Sequence, residues 1–271
     1  MSRNQLRVAE YSDFWEFLVH QVDSFVCVFV LVSIVFFTLC RYTGHAVPLR
    51  TLHMIEVAGI LERTAENFVA WFTVYGTVYF CTYGPTRKVF TFAKLNREYP
   101  AASQVMQEIC WSALSVVAAT VWQVASDLAS TSQEVTFHWR DAFIALALYV
   151  WADFHFYWQH RAMHSRVLFR FHKIHHRSKN TNPWSGLSFH PVESAVYFSP
   201  SLLFIVWPVM FSSPLRRGLH FGLLLIPCRG HHGFGNPNKS TPEHYVHHTK
   251  FNYNFGASID FDCIFGTRLH Q

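Results

Sequence analysis

Residues 153–176 read DFHFYWQHRAMHSRVLFRFHKIHH, and the spacing of their histidines decides the fold. His160 and His164 stand four residues apart, while His172, His175 and His176 stand at i, i+3 and i+4. Both spacings gather imidazoles on one side of a helix, and neither matches the two-residue alternation of a strand. The second pattern returns in EHYVHH at residues 243–248, with His244, His247 and His248. Three helical clusters therefore offer eight imidazoles. Of 18 histidines in the chain, 13 lie between His155 and His248, so the enrichment is local and not a bias of the whole sequence.

Outward from these clusters the chain is apolar. Its 271 residues are 51% hydrophobic and 17% aromatic but only 14% charged, where a soluble domain carries about 25%. That balance excludes disorder, collagen and coiled coil, and it argues against an ordinary soluble enzyme. A net charge of +5 gives no footprint for nucleic acid. The six cysteines form no CxxC pair, so neither a disulfide framework nor a thiolate metal site is indicated. The first 23 residues are polar, and no small-residue cleavage site follows the next apolar run, which predicts a retained anchor.

Apolar stretches long enough to cross a bilayer with help from their flanks run over 24–40, 68–83, 109–125 and 142–158. Residues 194–228 are apolar too, but Pro200, Pro208 and Pro214 break them and Arg216 and Arg217 sit in the middle. They predict a hairpin of shorter helices, crossing or re-entrant. With a cytosolic N-terminus and every arm crossing, 16 of the 22 Lys and Arg fall on the cytosolic side, together with all three clusters. The expected architecture is an all-α integral membrane protein with four to six transmembrane helices or hairpin arms. A cytosolic, histidine-rich helical cap would hold a di-metal site. Residues 1–140 would form an N-terminal membrane region with about three transmembrane helices, and residues 141–271 the histidine-bearing domain.

Imidazole suits zinc, copper, iron and nickel alike. Eight such ligands overfill one ion and suit two ions at four or five each. Nearby carboxylates are few, namely Asp153, Glu193 and Glu243, so the pattern differs from glutamate-rich soluble di-iron bundles. No HExxH is present, which argues against a zinc protease.

The series HRAMH, HKIHH and HYVHH resembles the three histidine boxes of the fatty acid hydroxylase / sterol desaturase superfamily. Several flanks share the resemblance: Asp153 and Tyr157-Trp158 before the first box, and His190-Pro191 with Glu193 after the second. Before the third box stands His231 with Gly233-Phe234, and Asn254-Phe255-Gly256 and Phe265-Gly266-Thr267 close a match running from about residue 142 to 267. The resemblance implies a membrane-bound oxidoreductase with two irons and dioxygen as co-substrate, hydroxylating or desaturating a lipid in lipid or sterol biosynthesis. By it, ligand roles fall on His160, His164, His172, His175, His176, His244, His247 and His248. His231 becomes the ninth ligand, with His232 as the alternative. The HxxxH spacing of the first box is like that of sterol C-5 desaturase or sterol methyl oxidase members, so a sterol is favoured over an acyl chain.

The same resemblance implies an endoplasmic reticulum location and an external electron donor, such as a b-type cytochrome with its NAD(P)H reductase. No GxGxxG follows a strand, so no dinucleotide-binding module is expected within the chain. Asp153 and Glu193 are candidates to orient ligand imidazoles, and His190 and His232 are candidates to line the site. The basic run from Arg161 to Lys179 is a positive-inside flank or a landing surface for an acidic electron carrier. Two other classes remain: a histidine-rich membrane metal-binding or transport protein, and a non-catalytic relic of the enzyme family.

Overall fold

The computed structural model describes residues 57–88, 94–130, 136–235 and 243–269. Three long helices lead: α1 (Val57–Tyr83), α2 (Ala102–Ala129) and α3 (Trp139–Met163). Short helices follow: α4 (Phe169–His172), α5 (Pro191–Tyr197), α6 (Leu202–Val206), α7 (Ser213–Leu225), α8 (Pro227–His231), α9 (Glu243–Lys250) and α10 (Phe261–Ile264). Among the described residues the fold is helical throughout, apart from one isolated antiparallel bridge between Lys94 and Phe234.

The apolar stretch 24–40 lies outside the described residues. The stretches 68–83, 109–125 and 142–158 fall within α1, α2 and α3. The expected hairpin is broken into pieces, because prolines open helices but cannot continue them. Pro191, Pro214 and Pro227 each stand at the first or second position of α5, α7 and α8. The longest piece, α7, has 13 residues. At 1.5 Å per residue it reaches about 20 Å, short of a hydrocarbon core of about 30 Å.

One helix among the described residues, α2, is long and apolar enough to cross a membrane, and most of it is buried inside the bundle. The side chains turned outward belong to its neighbours. On α3, Trp139, Phe143, Leu146, Val150, Phe154 and Trp158 are exposed along one stripe; on α1, Leu61, Val69, Phe72 and Phe80 are. Apolar stripes of this length favour lipid over water.

The core lies between α1, α2, α7 and the segment 184–198. Small residues on α2, among them Ser112, Ser115, Ala118 and Ala119, are buried and let neighbouring backbone approach closely. Trp184 fills the centre, with the ring of Trp71 at 5.2 Å and that of Phe72 at 5.6 Å.

Hydrogen bonds from these helices pin the segment that follows the second histidine cluster. The buried Glu108 carboxylate on α2 accepts from Ser178 Oγ at 2.6 Å, Asn182 Nδ2 at 2.5 Å and Gln104 Nε2 at 2.8 Å. Asn182 in turn caps the 3₁₀ turn Pro183–Leu187. Ser112 Oγ donates to the Trp184 carbonyl at 2.6 Å, and Trp122 Nε1 donates to that of Ala195 at 3.0 Å. Tyr83 Oη donates to the Thr181 carbonyl at 2.9 Å. Gly233, at φ +77°, leaves space there, since a Cβ would collide with Tyr83 Oη and the Thr181 carbonyl.

Removing one acceptor from such a buried set leaves donors unsatisfied, at about 1–3 kcal/mol. Glu108→Ala should therefore lower the thermal unfolding midpoint of the detergent-solubilised protein by several degrees. An unchanged midpoint would show that Glu108 does not hold the 178–182 segment.

Candidate metal centre

The nine histidines singled out as ligands meet in two groups. His160, His164, His172, His176 and His247 form one; His175, His231, His244 and His248 form the other. Within each group the ligand atoms lie within 4.8 Å of one another. His160 and His164 close α3, His172 closes α4, His231 ends α8, and α9 carries His244, His247 and His248. Helical geometry explains the sorting. Adjacent residues diverge by about 100°, so His175 and His176 turn to different groups, as do His247 and His248. His244 and His248, four apart, stay together.

Seven of the nine are buried, with His247 and His248 fully so, while His164 and His244 are half-buried. Their outer nitrogens are tethered. Nδ1–H of His160 donates to the Phe255 carbonyl at 2.8 Å, and that of His247 to the Tyr253 carbonyl at 2.7 Å. Nδ1–H of His231 donates to the Pro227 carbonyl at 2.8 Å. His172 Nδ1 meets Glu193 Oε1 at 2.6 Å. Each tether fixes the tautomer and leaves Nε2 as a bare acceptor facing inward.

Those acceptors converge. In the first group His176 Nε2 lies 3.0 Å from His172 Nε2 and 3.1 Å from both His164 Nε2 and His247 Nε2. In the second, His231 Nε2 lies 3.0 Å from His244 Nε2, 3.1 Å from His248 Nε2 and 3.2 Å from His175 Nε2. His160 Nε2 is buried without a hydrogen-bond partner. Neutral imidazoles cannot satisfy one another when their protons point outward, but a cation at the centre satisfies them all. Nitrogens bound to one ion at about 2.0–2.1 Å stand roughly 2.9–3.4 Å apart, the spacing found here. The donor set thus fits two metal ions, one with five imidazoles and one with four.

The electrostatics agree. Burial, followed by the charge of His160, pushes His164 down to about 3, and burial with neighbouring His164 pushes His176 down to about 2. Burial likewise lowers His231 to about 4 and holds His175, His247 and His248 well below the ordinary histidine value. Such imidazoles are neutral at pH 7, the state a metal requires.

A cavity of about 300 Å³ opens onto both groups, touching His160 and His172 of one and His175, His231 and His244 of the other. Phe156, Phe189, Leu223 and Ile226 supply its apolar wall.

The four residues expected around the ligands divide. Glu193 is joined to His172 as described. Asp153 lines the cavity, but its carboxylate accepts from Ser258 N–H at 3.1 Å and Ile259 N–H at 2.6 Å rather than from an imidazole. Seven residues before His160 it shares a helical face, yet it stands about 10 Å away along the axis. His190 caps α5, its Nδ1 accepting from Val192 N–H, and packs against Phe171. His232 accepts from Phe234 N–H. Neither enters a histidine group, and of the pair His231–His232 it is His231 that does. The side chain of Glu243 lies outside the described residues.

Sequence reasoning missed the backbone acceptors, since every residue owns a carbonyl. Asn254 at φ +58° and Phe251 at φ +60° bracket the turn that aims the Tyr253 and Phe255 carbonyls. Buried Asp262 braces it, accepting from Phe255 N–H at 2.8 Å and Gly256 N–H at 2.7 Å.

Comparison with known proteins agrees with this geometry. Residues 145–267 match the family described as fatty acid hydroxylase. A probable Delta(7)-sterol 5(6)-desaturase of Neurospora crassa is 28% identical over 216 residues, covering 72% of this chain and 61% of that one. A Delta(7)-sterol 5(6)-desaturase of Aspergillus fumigatus is 33% identical over 118 residues, 40% of this chain and 34% of that one. Lathosterol oxidase of Rattus norvegicus is 33% identical over 131 residues, 44% of this chain and 42% of that one. The chain therefore spans less than two thirds of each of these relatives. No solved structure matches it. Both histidine groups lie inside the span, residues 145–267, that is similar to the fatty acid hydroxylase family.

Proposed function

We propose that the protein is a membrane-bound, oxygen-dependent di-iron oxidoreductase that desaturates a sterol, with Δ7-sterols as the substrate class. The observation that carries this reading is the pair of buried, all-imidazole groups opening onto one apolar cavity. Desaturation is chosen over hydroxylation, and a sterol over an acyl chain, because the relatives described above bear the names of sterol desaturases and a sterol oxidase.

His160, His164, His172, His176 and His247 would hold one iron, and His175, His231, His244 and His248 the other. The chemistry supplied by bound iron is the reductive activation of dioxygen for cleavage of an unactivated C–H bond. The chain's own residues do the rest. The carbonyls of Phe255, Tyr253 and Pro227 and the Glu193 carboxylate hold imidazole rings in register. The aromatic and aliphatic wall, with Phe156 and Phe189, accepts a lipid and keeps water from the reacting carbon. The outward stripes on α1 and α3 let such a substrate arrive from the bilayer.

In this reading residues 1–140 are the membrane region, and the histidine-bearing part faces the cytosol at the endoplasmic reticulum. Electrons come from an external carrier. The exposed cations Arg161, Arg166, Arg170, Lys173, Arg177 and Lys179 flank the first two boxes and suit an acidic partner such as a b-type cytochrome.

Purified protein reconstituted in lipid with iron, lathosterol, a reductant and oxygen should yield a sterol with one further double bond. Omitting oxygen should abolish the product. Turnover of an acyl chain but not of lathosterol would replace the sterol assignment, and turnover without oxygen would remove the oxidase reading.

Glu193→Leu keeps about the volume of the side chain but removes the acceptor that fixes the His172 tautomer. Iron affinity should fall about 10–100-fold with the thermal midpoint of the metal-free protein held. Unaltered affinity would show that Glu193 does not orient the ligand.

A further inference from the structure

Most polar groups along the cavity are already committed. Asp153 is taken by two backbone amides, Tyr197 Oη donates to the Leu223 carbonyl at 2.9 Å, and Glu193 pairs with His172. Two neutral side chains on α3 are not. Nδ1 of His155 and Oε1 of Gln159 are both buried without a hydrogen-bond partner, and both residues line the cavity. They stand at i and i+4, on one helical face, and Gln159 directly precedes the ligand candidate His160.

The tautomer of His155 follows from its neighbour. Ser199 Oγ donates its single proton to the Val196 carbonyl at 2.7 Å. At 2.9 Å from His155 Nε2 it can then only accept, so Nε2 carries the ring proton and Nδ1 is a bare acceptor. The Gln159 carbonyl is a second acceptor one turn away. Two acceptors left unsatisfied in an apolar cavity each cost free energy, and the O–H donor of one ligand hydroxyl removes the cost of one of them.

We propose that His155 and Gln159 form a hydroxyl-binding subsite that anchors an alcohol-bearing lipid beside the metal groups. The proposal rests on the sterol-oxidising reading and sharpens it. Gln159 lies about 1.5 Å and His155 about 7.5 Å from His160 along the axis of α3, so the substrate must carry its hydroxyl close to the carbon that is oxidised. A 3-hydroxysterol oxidised across its C5–C6 bond does so, because C3 is separated from C5 by a single carbon. A plain acyl chain oxidised in its middle has no such group. His155 and Gln159 are thus positioning residues that select the hydroxylated lipid and set which C–H bond faces the metals.

Equilibrium binding to the purified full chain tests this independently of turnover. The probes are lathosterol against its 3-methyl ether, and octadecan-1-ol against its methyl ether, since each ether keeps the oxygen but cannot donate. Wild type should bind free lathosterol at least about 10-fold more tightly than the ether, the equivalent of one hydrogen bond. Gln159→Leu and His155→Phe should bring the two affinities together while iron content stays at the wild-type level. Gln159→Leu keeps the test open should His155→Phe fail to fold. Equal binding of both sterols by wild type, retained discrimination in the variants, or no binding by any probe would overturn the subsite. Discrimination confined to the octadecanol pair, and lost in the variants, would keep the subsite and remove the sterol assignment.

Discussion

The structure depends on a conflict among neutral imidazoles. Inside each histidine group several Nε2 pairs stand 3.0–3.2 Å apart, and outward tethers to carbonyls or to Glu193 deprive several of these nitrogens of a proton to share. Lone pairs facing lone pairs repel, and burial denies them water. A cation at the centre of each group would resolve the arrangement. Much of the surrounding architecture serves to hold the rings there against that repulsion. The turn at 251–256, with two residues in left-handed backbone conformation and Asp262 beneath it, aims two of the carbonyls. The end of α8 aims a third. Local backbone strain of this kind persists where surrounding contacts over-determine it, and here it serves the ligand shell.

The apolar bundle performs a different task with the opposite chemistry. α2 is, among the described residues, the helix long and apolar enough to cross a membrane, yet it carries Glu108, Ser112 and Ser115 into the interior. These polar groups grip the 178–195 segment that leaves the second histidine cluster, and aromatic rings around Trp184 fill the remaining space. An apolar helix early in the chain thereby positions residues that follow the second histidine cluster. Its neighbours α1 and α3 turn aromatic and aliphatic side chains outward, where lipid is the favourable solvent. A cavity with an apolar wall and imidazole-lined floor follows from joining the two regions.

Much of this was legible in the sequence. Spacings of three and four between histidines foretold helices and a gathering of imidazoles, which fall into two groups. Of the breaks read at Pro200, Pro208 and Pro214, the first two separate short helices and the third opens α7. The assignment of each imidazole to its group was not legible, because it depends on how α3, α8 and α9 meet in space. Asp153 illustrates the limit: periodicity puts it on the face of His160, but two turns of rise carry it to the backbone at 258–259. Glu108 gave no signal either, since a lone acid near the start of an apolar helix reads as an interfacial residue. The unsatisfied atoms of His155 and Gln159 emerge only when every possible partner has been placed.

The most direct measurement is iron content with X-ray absorption at the iron edge, on the full chain and on His176→Ala and His175→Ala. Two irons per chain in nitrogen-rich shells are expected, with His176→Ala disturbing the five-histidine shell and His175→Ala the four-histidine shell. A single iron per chain, sulfur in the shell, or spectra unmoved by both substitutions would contradict two separate imidazole sites.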